Sequence, residues 1–391
     1  MCKHFDFQLS IVTKSITKDF IPLLLGKAGN ILKVILNKSG QYYKKGEWNM
    51  KKIIALLMLL IMTLAFVSCG STPEPTPTPA PADDGGNDEP APEPARQLTI
   101  GFNTNDLTNE TMSFMVDVFY KYGEENNIKI MVSQDNQETS VTMNNIENMV
   151  SAGVDGIIFM NWDPTGIEPT VQELVDKGIA VISYDEFSEH ATYSFICPNY
   201  DLGYAIGTMA ANWANDAIDD EKIVFGLMSG EINEATINRS QGIEDGFKDN
   251  CPRAEVYRAP ATFPTVDCFY NMYSARPDIK VFASLADSMV VGIAEAWYAD
   301  LVGAGEDISE YGVFSTDATD IALNLVNQAK QGKGIFRGTI DLGLKDVVPL
   351  SMITACHKAI LGEESGFEKT SYYNIKMVTE ANIDEYSEFL D

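Results

Sequence analysis

The chain has 391 residues, with 28 Lys and Arg against 56 Asp and Glu, which gives a net charge of −28. The acidic excess lies after residue 68, since residues 69–391 carry 18 basic and 53 acidic side chains, a net charge of −35. A surface of this sign repels nucleic acid and anionic lipid headgroups, which excludes both as expected partners.

Residues 1–49 show no clear amphipathic pattern, and the first recognisable targeting signal begins after them, at Met50. The tetrapeptide KKGE at 44–47 has codons that can spell a purine-rich bacterial ribosome-binding site just upstream of Met50. We therefore expect translation to begin at Met50, with residues 1–49 being leader sequence read as protein. A cytoplasmic extension followed by an internal signal anchor is the alternative, and the nucleotide sequence of the gene distinguishes the two.

Residues 50–68 have the pattern of a secretory signal peptide. Two lysines precede fifteen apolar or near-apolar residues from Ile53 to Val67, and a small residue, Ser68, follows. A basic start, a short apolar stretch and a small residue before the cleavage point are typical of such signals. The apolar stretch is shorter than the roughly 20 residues that a membrane-spanning helix needs.

Cys69 follows the signal directly and opens a segment that cannot pack into a core. The sequence FVSC at 66–69 resembles the lipobox of bacterial lipoproteins, in which the cysteine is acylated. Residues 69–97 are rich in Pro, Thr, Ala and acidic residues, which is typical of an extended linker. We expect a lipid anchor at Cys69 on the outer face of the bacterial cytoplasmic membrane. A single-pass membrane anchor with an incidental cysteine is the alternative.

The cysteines and histidines of the body give no metal-site pattern. Cys197, Cys251, Cys268 and Cys356 are widely spaced with no C-x-x-C, and the three histidines of the chain are scattered. No metal or other cofactor is therefore expected. We expect four ordinary buried thiols, since Cys251 and Cys268 would flank a predicted strand at its opposite ends. The sequence does not exclude a disulfide among the four.

From Leu98 onward, short β-branched or apolar runs alternate with helix-length amphipathic stretches. The predicted strands are 98–102, 128–133, 154–160, 179–185, 222–229, 254–259, 280–285, 311–316 and 334–341. The predicted helices are 109–125, 138–152, 166–177, 234–249, 265–275, 286–302 and 318–331. This alternation favours parallel sheets flanked by helices on both faces. About 295 residues are enough for two such α/β lobes.

Polar side chains follow several of the predicted strands, where the strand ends. Ligands on open parallel sheets gather outside these carboxyl ends. Each such residue can instead cap the next helix, as Asp and Asn do well. Five strand ends, taken from both lobes, nevertheless all carry polar residues, and this set favours a shared polar cleft. The residues are Asn103, Asn105, Asp106, Asn161, Trp162, Asp163, Asp185, Glu186, Asp317 and Asp341.

Four stretches, in this order and spacing, resemble the sugar-type periplasmic binding proteins of ABC importers, the ribose and galactose class. The resemblance covers about residues 98–380. The stretches are VSAGVDGIIFMNWDPTGIEPTVQELVDKGIAVISYDE at 150–186, NRSQGIEDGF at 238–247, VFASLADSMVVGIAEAW at 281–297, and YGVFSTDATDIALNLVNQAKQGKGIFRGTID at 311–341.

The resemblance implies a type I periplasmic-binding-protein fold. This is an α/β fold of two Rossmann-like lobes with parallel sheets, joined by a three-segment hinge. The expected hinge segments lie near 198–199, 341–342 and 369–371. The expected N-terminal lobe is 98–198 with 342–370, and the expected C-terminal lobe is 199–341 with 371–391.

The resemblance also implies roles for individual residues. Asp185 would accept hydrogen bonds from sugar hydroxyls, and Arg239 would donate two bonds to ring and hydroxyl oxygens. Phe263 would stack on the sugar face, and Asp317 would supply a carboxylate from the second lobe. Asn161 would lie at the same rim. Such a mixture suits sugars, which offer donors and acceptors together with apolar faces.

The sequence departs from the family pattern at several of these positions. Glu186 stands where the family often has Arg, and Ala286 replaces an Asn, which leaves Asp287 or Ser288 to serve. Asp341 replaces a Gln. The paired phenylalanines after the first strand are absent, so that Asn105 and Asp106 lie there and Trp162 is the candidate stacking surface. The excess of carboxylates predicts a ligand rich in hydroxyl donors or carrying an amine, rather than an anionic sugar.

The implied function is capture of a sugar or polyol between the lobes by a monomer, which closes on the ligand and delivers it to an ABC permease in the membrane. An enzyme is disfavoured, because the sequence has no G-x-S-x-G, no P-loop and no GxGxxG after the first strand. A transcription regulator of this fold would need a helix-turn-helix where the secretion signal lies. A sugar sensor or chemoreceptor partner without a transport role stays open as the alternative.

Overall fold

The computed structural model describes residues 96–161 and 163–390. The predicted leader, the signal peptide, Cys69 and all but the end of the linker lie outside the described residues. Trp162, one of the predicted site residues, also lies outside them.

Strands and helices alternate through the described part of the chain, as predicted. The strands are β1 Leu98–Thr104, β2 Ile128–Gln134, β3 Gly156–Met160, β4 Ala180–Asp185, β5 Tyr193–Ile196, β6 Ile223–Ser229, β7 Ala254–Pro260, β8 Ile279–Ala283, β9 Gly312–Phe314, β10 Phe336–Asp341, β11 Thr370–Tyr372 and β12 Lys376–Thr379. The α-helices are α1 Glu110–Asn126, α2 Thr139–Ser151, α3 Pro164–Asp176, α4 Asn199–Ala217, α5 Glu234–Asn250, α6 Thr265–Ala275, α7 Asp287–Ala304, α8 Asp320–Lys330 and α9 Val347–Leu361. Helices α4 and α9 and strands β5, β11 and β12 were not predicted from the sequence.

The strands form two six-stranded sheets. The first has the order β11-β5-β4-β3-β1-β2, and all of its pairs are parallel. The second has the order β12-β10-β9-β8-β6-β7, and its one antiparallel pair is β10 with β12. The predicted α/β fold with two mostly parallel sheets is confirmed.

The chain passes from one sheet to the other three times. The first crossing follows Ile196 at the end of β5 and leads into α4, which packs against strands of the second sheet. The second lies between Asp341 and Val347. The third lies between Tyr372 and Lys376, because β11 still pairs with β5. It therefore comes slightly after the segment 369–371 that was predicted.

Apolar side chains fill the space between each sheet and its helices. All five residues of β3 and all seven of β6 are buried, as expected for central parallel strands covered on both faces. One cluster includes Phe102 and Ile158 of the first sheet and extends to Phe225 and Leu227 of the second, and another includes Trp297. These packed layers fix the strand ends that carry the polar residues.

Helices α4 and α5 approach each other so closely that only glycine fits at their contact. A Cβ atom at Gly203 would lie closer than 3.0 Å to the carbonyl oxygen of Arg239. A Cβ atom at Gly242 would lie equally close to the carbonyl oxygen of Tyr200. One turn further along, the same close approach is made by Gly207 and Gly246. The backbone of each helix therefore rests directly on that of the other.

Cys197, Cys251, Cys268 and Cys356 are free and buried, which confirms the prediction of ordinary thiols. Over the described residues, no helix combines the length and the apolar character needed to cross a bilayer.

Candidate functional site

A cavity of about 320 Å³ lies between the carboxyl ends of strands from the two sheets. We call it the central cavity. Its volume is at the lower end of the range of about 300–1,000 Å³ that is usual for small-molecule sites. Met112, Met115 and Met160 supply apolar lining, and the remaining lining is largely polar. The cavity therefore has room for one small molecule with both polar and apolar surface.

The structure brings most of the predicted site residues together in the central cavity. Six of them line it: Asn105, Asn161, Asp185, Glu186, Arg239 and Asp317. Asp163, which the sequence also placed at a strand end, lines it as well and caps α3 by accepting from the backbone N–H of Gly166 at 2.8 Å. Four predicted residues are not among the lining residues: Asp106, Phe263, Asp287 and Asp341.

Two of these four lie at the protein surface. Asp106 accepts from the backbone N–H and the hydroxyl of Thr108, both at 2.8 Å, and these bonds hold the pKa of Asp106 below its usual value. Phe263 is 79% exposed, in the loop between β7 and α6. The structure therefore does not place Phe263 where it could stack on a ligand in the central cavity.

The other two are engaged within the protein. Asp287 is fully buried and accepts from the hydroxyls of Ser315, Thr319 and Thr339 and from the backbone N–H of Thr319. Burial raises the pKa of Asp287 to about 6 in spite of these donors. Asp341 accepts from the Tyr386 hydroxyl and from a backbone N–H of the second crossing, both at 2.8 Å. Both carboxylates therefore accept hydrogen bonds from neighbouring segments of the chain.

Arg239, near the start of α5, is held in a fixed position at the cavity wall. Its Nε and Nη2 both donate to Asn199 Oδ1, at 3.0 and 2.6 Å, and its Nη1 donates to the Leu285 carbonyl at 2.8 Å. Nη2 also approaches Cys197 Sγ at 3.5 Å. Since a guanidinium carries five N–H donors in a rigid fork, these bonds orient the remaining donor capacity toward the cavity.

Asp185 and Asp317 present carboxylates from the two sheets. Both have a positive φ, 71° for Asp185 and 118° for Asp317, a conformation that non-glycine residues adopt at a cost. Burial raises the pKa of Asp185, with Arg239 opposing, and the Tyr373 hydroxyl donates to Asp185 at 3.0 Å. Burial and the neighbouring Asp287 raise the pKa of Asp317 well above its usual value.

Glu186 follows Asp185 and shares its acidic surroundings. It accepts from Asn199 Nδ2 at 3.3 Å. Burial raises the pKa of Glu186 to about 7, and the charges of Asp185 and Glu234 add to this effect while Arg239 opposes it. Near neutral pH, Glu186 is therefore close to the midpoint of its titration.

Asn161 offers a hydrogen-bond acceptor that the protein does not use. Its side chain is 1% exposed, and its Nδ2 donates to the Phe187 carbonyl at 3.2 Å. Its Oδ1 is buried and has no hydrogen-bond partner among the residues that the structure describes. A buried acceptor left without a donor costs about 1–3 kcal/mol, so a ligand that donates to Asn161 recovers this free energy.

Several lining residues were not predicted from the sequence. Asn199 and Tyr373 come from the first and third crossings, and Met112 and Met160 face the cavity with their thioether side chains. Asn199 had a usable signal, because it follows Pro198 at a predicted hinge segment. Tyr373 had none, since its place depends on where the chain returns to the second sheet.

Replacing Glu186 with Gln is expected to stabilise the protein without ligand above pH 7. The folded-state pKa of about 7 lies above the ordinary value of 4.5, so the native state binds more protons and stability falls as pH rises between these values. After discounting for solvent screening of a half-exposed group, we expect a gain of about 1–2 kcal/mol at pH 8, or about 2–5 °C in Tm.

The measurement is thermal unfolding of Glu186→Gln at pH 4 and pH 8, with Glu189→Gln as the control for a charge removed at a nearby exposed position. The gain should appear at pH 8 and vanish at pH 4. An equal gain at both pH values would show that the effect does not come from the ionised carboxylate.

The described residues contain no group of three or more His, Cys, Asp or Glu side chains that could hold a metal ion. The central cavity presents hydrogen-bonding and charged side chains that are held at strand ends and helix starts.

The chain is similar to binding proteins of known ligand. A D-xylose-binding periplasmic protein of Escherichia coli is 30% identical over 101 residues, which is 26% of this chain and 31% of that protein's length. A ribose import binding protein of Bacillus subtilis is 21% identical over 216 residues, which cover 54% of this chain and 68% of that protein.

Among solved structures, a solute-binding protein of Bacillus halodurans with bound myo-inositol has a TM-score of 0.62 at 22% identity, covering 75% of this chain and 98% of that one. A periplasmic solute-binding protein of Actinobacillus succinogenes with bound D-allose has a TM-score of 0.63 at 20% identity, covering 74% of this chain and 100% of that one. At these identities the likeness establishes the fold, which is the type I fold expected from the sequence.

A family model described as a periplasmic binding protein domain matches residues 100–343, which include strands β1 to β10 and most of the strand ends that line the central cavity. The chain belongs to the periplasmic binding protein family.

Proposed function

We propose that the protein captures a sugar or polyol in the central cavity outside the cytoplasm and delivers it to an ABC permease. The observation that carries this proposal is the pairing, in one cavity, of the fixed guanidinium of Arg239 with the unused acceptor Asn161 Oδ1 and the carboxylates of Asp185 and Asp317. Polyols supply hydroxyl groups that both donate and accept, which suits such a wall.

Closure on the ligand follows from the placement of these groups. Asp185 ends a strand of the first sheet, whereas Arg239 and Asp317 belong to elements of the second. A ligand that bonds to both sides has a higher affinity for the state in which the sides are close, and it therefore shifts the protein toward that state. We propose that the two lobes, each formed by one six-stranded sheet and its helices, move in this way about the three crossings.

We further propose that Cys69 anchors the protein by a lipid at the outer face of the membrane, and that it acts there as a monomer. Its relatives are binding proteins, and we propose no catalysis for this chain. The sugar should therefore be recovered unchanged from the complex.

The proposal predicts that a monosaccharide or polyol binds to the purified protein with a Kd of about 10 μM or tighter. Isothermal titration calorimetry with D-ribose, D-xylose, D-allose, myo-inositol, D-glucose and D-glucosamine tests it, with Tm measured at saturation. A ligand at 100 times its Kd should stabilise the protein by about 2.7 kcal/mol.

Asn161→Leu serves as the matched variant, because it removes the unused acceptor while keeping similar volume. It should weaken binding of the best ligand about tenfold, since the protein no longer has an acceptor for its hydroxyl. If no sugar, amino sugar or cyclitol of the panel binds, the proposed function is wrong.

A further inference from the structure

The central cavity carries more acidic than basic groups. Arg239 is the one cationic side chain that lines it among the described residues. The carboxylates that line it are those of Asp163, Asp185, Glu186, Glu234 and Asp317. Asp163 caps α3, and Glu234 lies exposed at the start of α5. Three carboxylates therefore remain at the centre of the cavity.

Arg239 does not form an ion pair with these three carboxylates. Its nitrogen atoms donate to Asn199 Oδ1 and the Leu285 carbonyl and approach Cys197 Sγ, and over the described residues no carboxylate oxygen lies within 4.0 Å of them. An ionised carboxylate removed from water without a counter-charge is costly. Among the described residues, Arg239 therefore offsets the charge of these three carboxylates only in part, without direct contact.

The same three side chains keep unused acceptor capacity. Asp185 receives one side-chain donor, the Tyr373 hydroxyl, and Glu186 receives one, Asn199 Nδ2. Asp317 has the backbone N–H of Asp287 as a donor, and among the described residues Asn161 Oδ1 adds a buried acceptor without a partner. Because a carboxylate can accept about four hydrogen bonds, a ligand that fits this cavity must bring several donors.

We propose that the ligand is a polyol carrying a protonated amine, with its ammonium group bound by Asp185, Glu186 and Asp317. This inference rests on the proposed function, because it names the class of solute that the same cavity takes. An ammonium supplies three N–H donors together with a positive charge. The hydroxyl groups of the polyol then donate to Asn161 Oδ1 and accept from Arg239.

The positions of the carboxylates favour an organic cation over a metal ion. Asp185 ends β4 in the first sheet, and Asp317 follows β9 in the second, so that an ammonium between them contacts both sides of the cavity. The described residues hold no group of acidic, His or Cys side chains arranged for a metal. The methionines of the lining offer apolar contact to a carbon ring rather than to a hydrated ion.

The test compares sugars that differ only at one substituent. D-Glucose, D-glucosamine, N-acetyl-D-glucosamine and D-glucuronate, with the corresponding galactose series, are titrated into the protein by calorimetry at pH 7. Whichever of the glucose and galactose series binds, its amino sugar should bind at least about tenfold more tightly than both the neutral sugar and the N-acetylated sugar. The uronate should bind weakest, because its charge repels the three carboxylates.

The matched variants are Glu186→Gln and Glu189→Gln. Glu186→Gln should weaken binding of the amine about tenfold, and by a clearly larger factor than it weakens binding of the neutral parent. Glu189→Gln removes the same charge from an exposed position three residues away and should change neither affinity.

A second readout uses the wild-type protein alone. Binding of the amine should release protons from the cavity carboxylates, so that its enthalpy differs between phosphate and Tris buffers more than that of the neutral parent.

The outcomes separate this inference from the proposed function. If the neutral sugar or the uronate binds more tightly than the amine, the amine inference is overturned and sugar binding stands. If none of the eight compounds and no other sugar or cyclitol binds, the proposed function itself fails.

Discussion

Replacing Gly242 with Ala is expected to lower the Tm of the protein by about 2–12 °C. The new Cβ atom would lie closer than 3.0 Å to the carbonyl oxygen of Tyr200, and the neighbouring backbone of Gly203 prevents α4 from yielding locally. The helices must therefore separate along their contact. Overpacking of this kind costs about 1–3 kcal/mol or more, and each kcal/mol corresponds to about 2–4 °C in a protein of this size.

The control is Gly303→Ala in α7, where an added Cβ would meet no atom within 4 Å. Alanine is preferred over glycine inside a helix by up to about 1 kcal/mol, so Gly303→Ala should leave the Tm unchanged or raise it slightly. Differential scanning calorimetry of both variants without ligand decides the matter. A Tm for Gly242→Ala within 1 °C of wild type would contradict the direct helix contact.

Replacing Arg239 with Lys is expected to weaken binding of the best sugar or polyol about 100-fold. Lys keeps the positive charge but cannot reproduce the fork that bonds Asn199 twice and the Leu285 carbonyl once. The variant therefore loses both the donors to the ligand and the bonds that fix their direction. Removing one partner of a buried, charged hydrogen bond costs about 2–5 kcal/mol.

Arg258→Lys is the matched control, because Arg258 forms its ion pairs with Glu231 and Glu244 away from the central cavity. Its affinity for the ligand should stay within about threefold of wild type. Circular dichroism and the Tm establish that both variants fold. A folded Arg239→Lys variant with wild-type affinity would remove Arg239 from the proposed site.

Much of the fold could be predicted from the sequence, because most strands and helices are marked by a pattern within their own residues. The central strands are short apolar runs, and most helices show an apolar stripe. Helix α4 has no such stripe, since its core-facing side and its contact with α5 both bury small or apolar residues such as Gly203, Ala210 and Leu202. Helix α9 is likewise apolar overall and contains Pro349 in its first turn. Strands β5, β11 and β12 have three or four residues, and their pairing is decided by the returning chain.

The candidate site was predictable where a polar residue ends a strand, as for Asn161, Asp185 and Asp317. The prediction did not distinguish polar residues that face the cavity from those that the protein itself uses. Asp287 has the same residue type and position as a ligand-binding group, but four hydrogen bonds from the neighbouring segments occupy it. The direction of a side chain such as Phe263 depends on a loop path that its sequence does not specify.

Residues of all three crossings also line the central cavity. Asn199 lies at the first, Leu342 and Leu344 at the second, and Tyr373 at the third. In the proposed closure, the segments about which the lobes move therefore also contribute residues to the cavity. Substitutions at these positions are expected to change both the affinity for the ligand and the angle between the lobes, whereas Glu234 lines the cavity away from the crossings and can be altered without changing that angle. To change the ligand selectivity of a fluorescent sensor built on this protein, cavity residues outside the crossings should therefore be substituted, and the residues at the crossings should be kept.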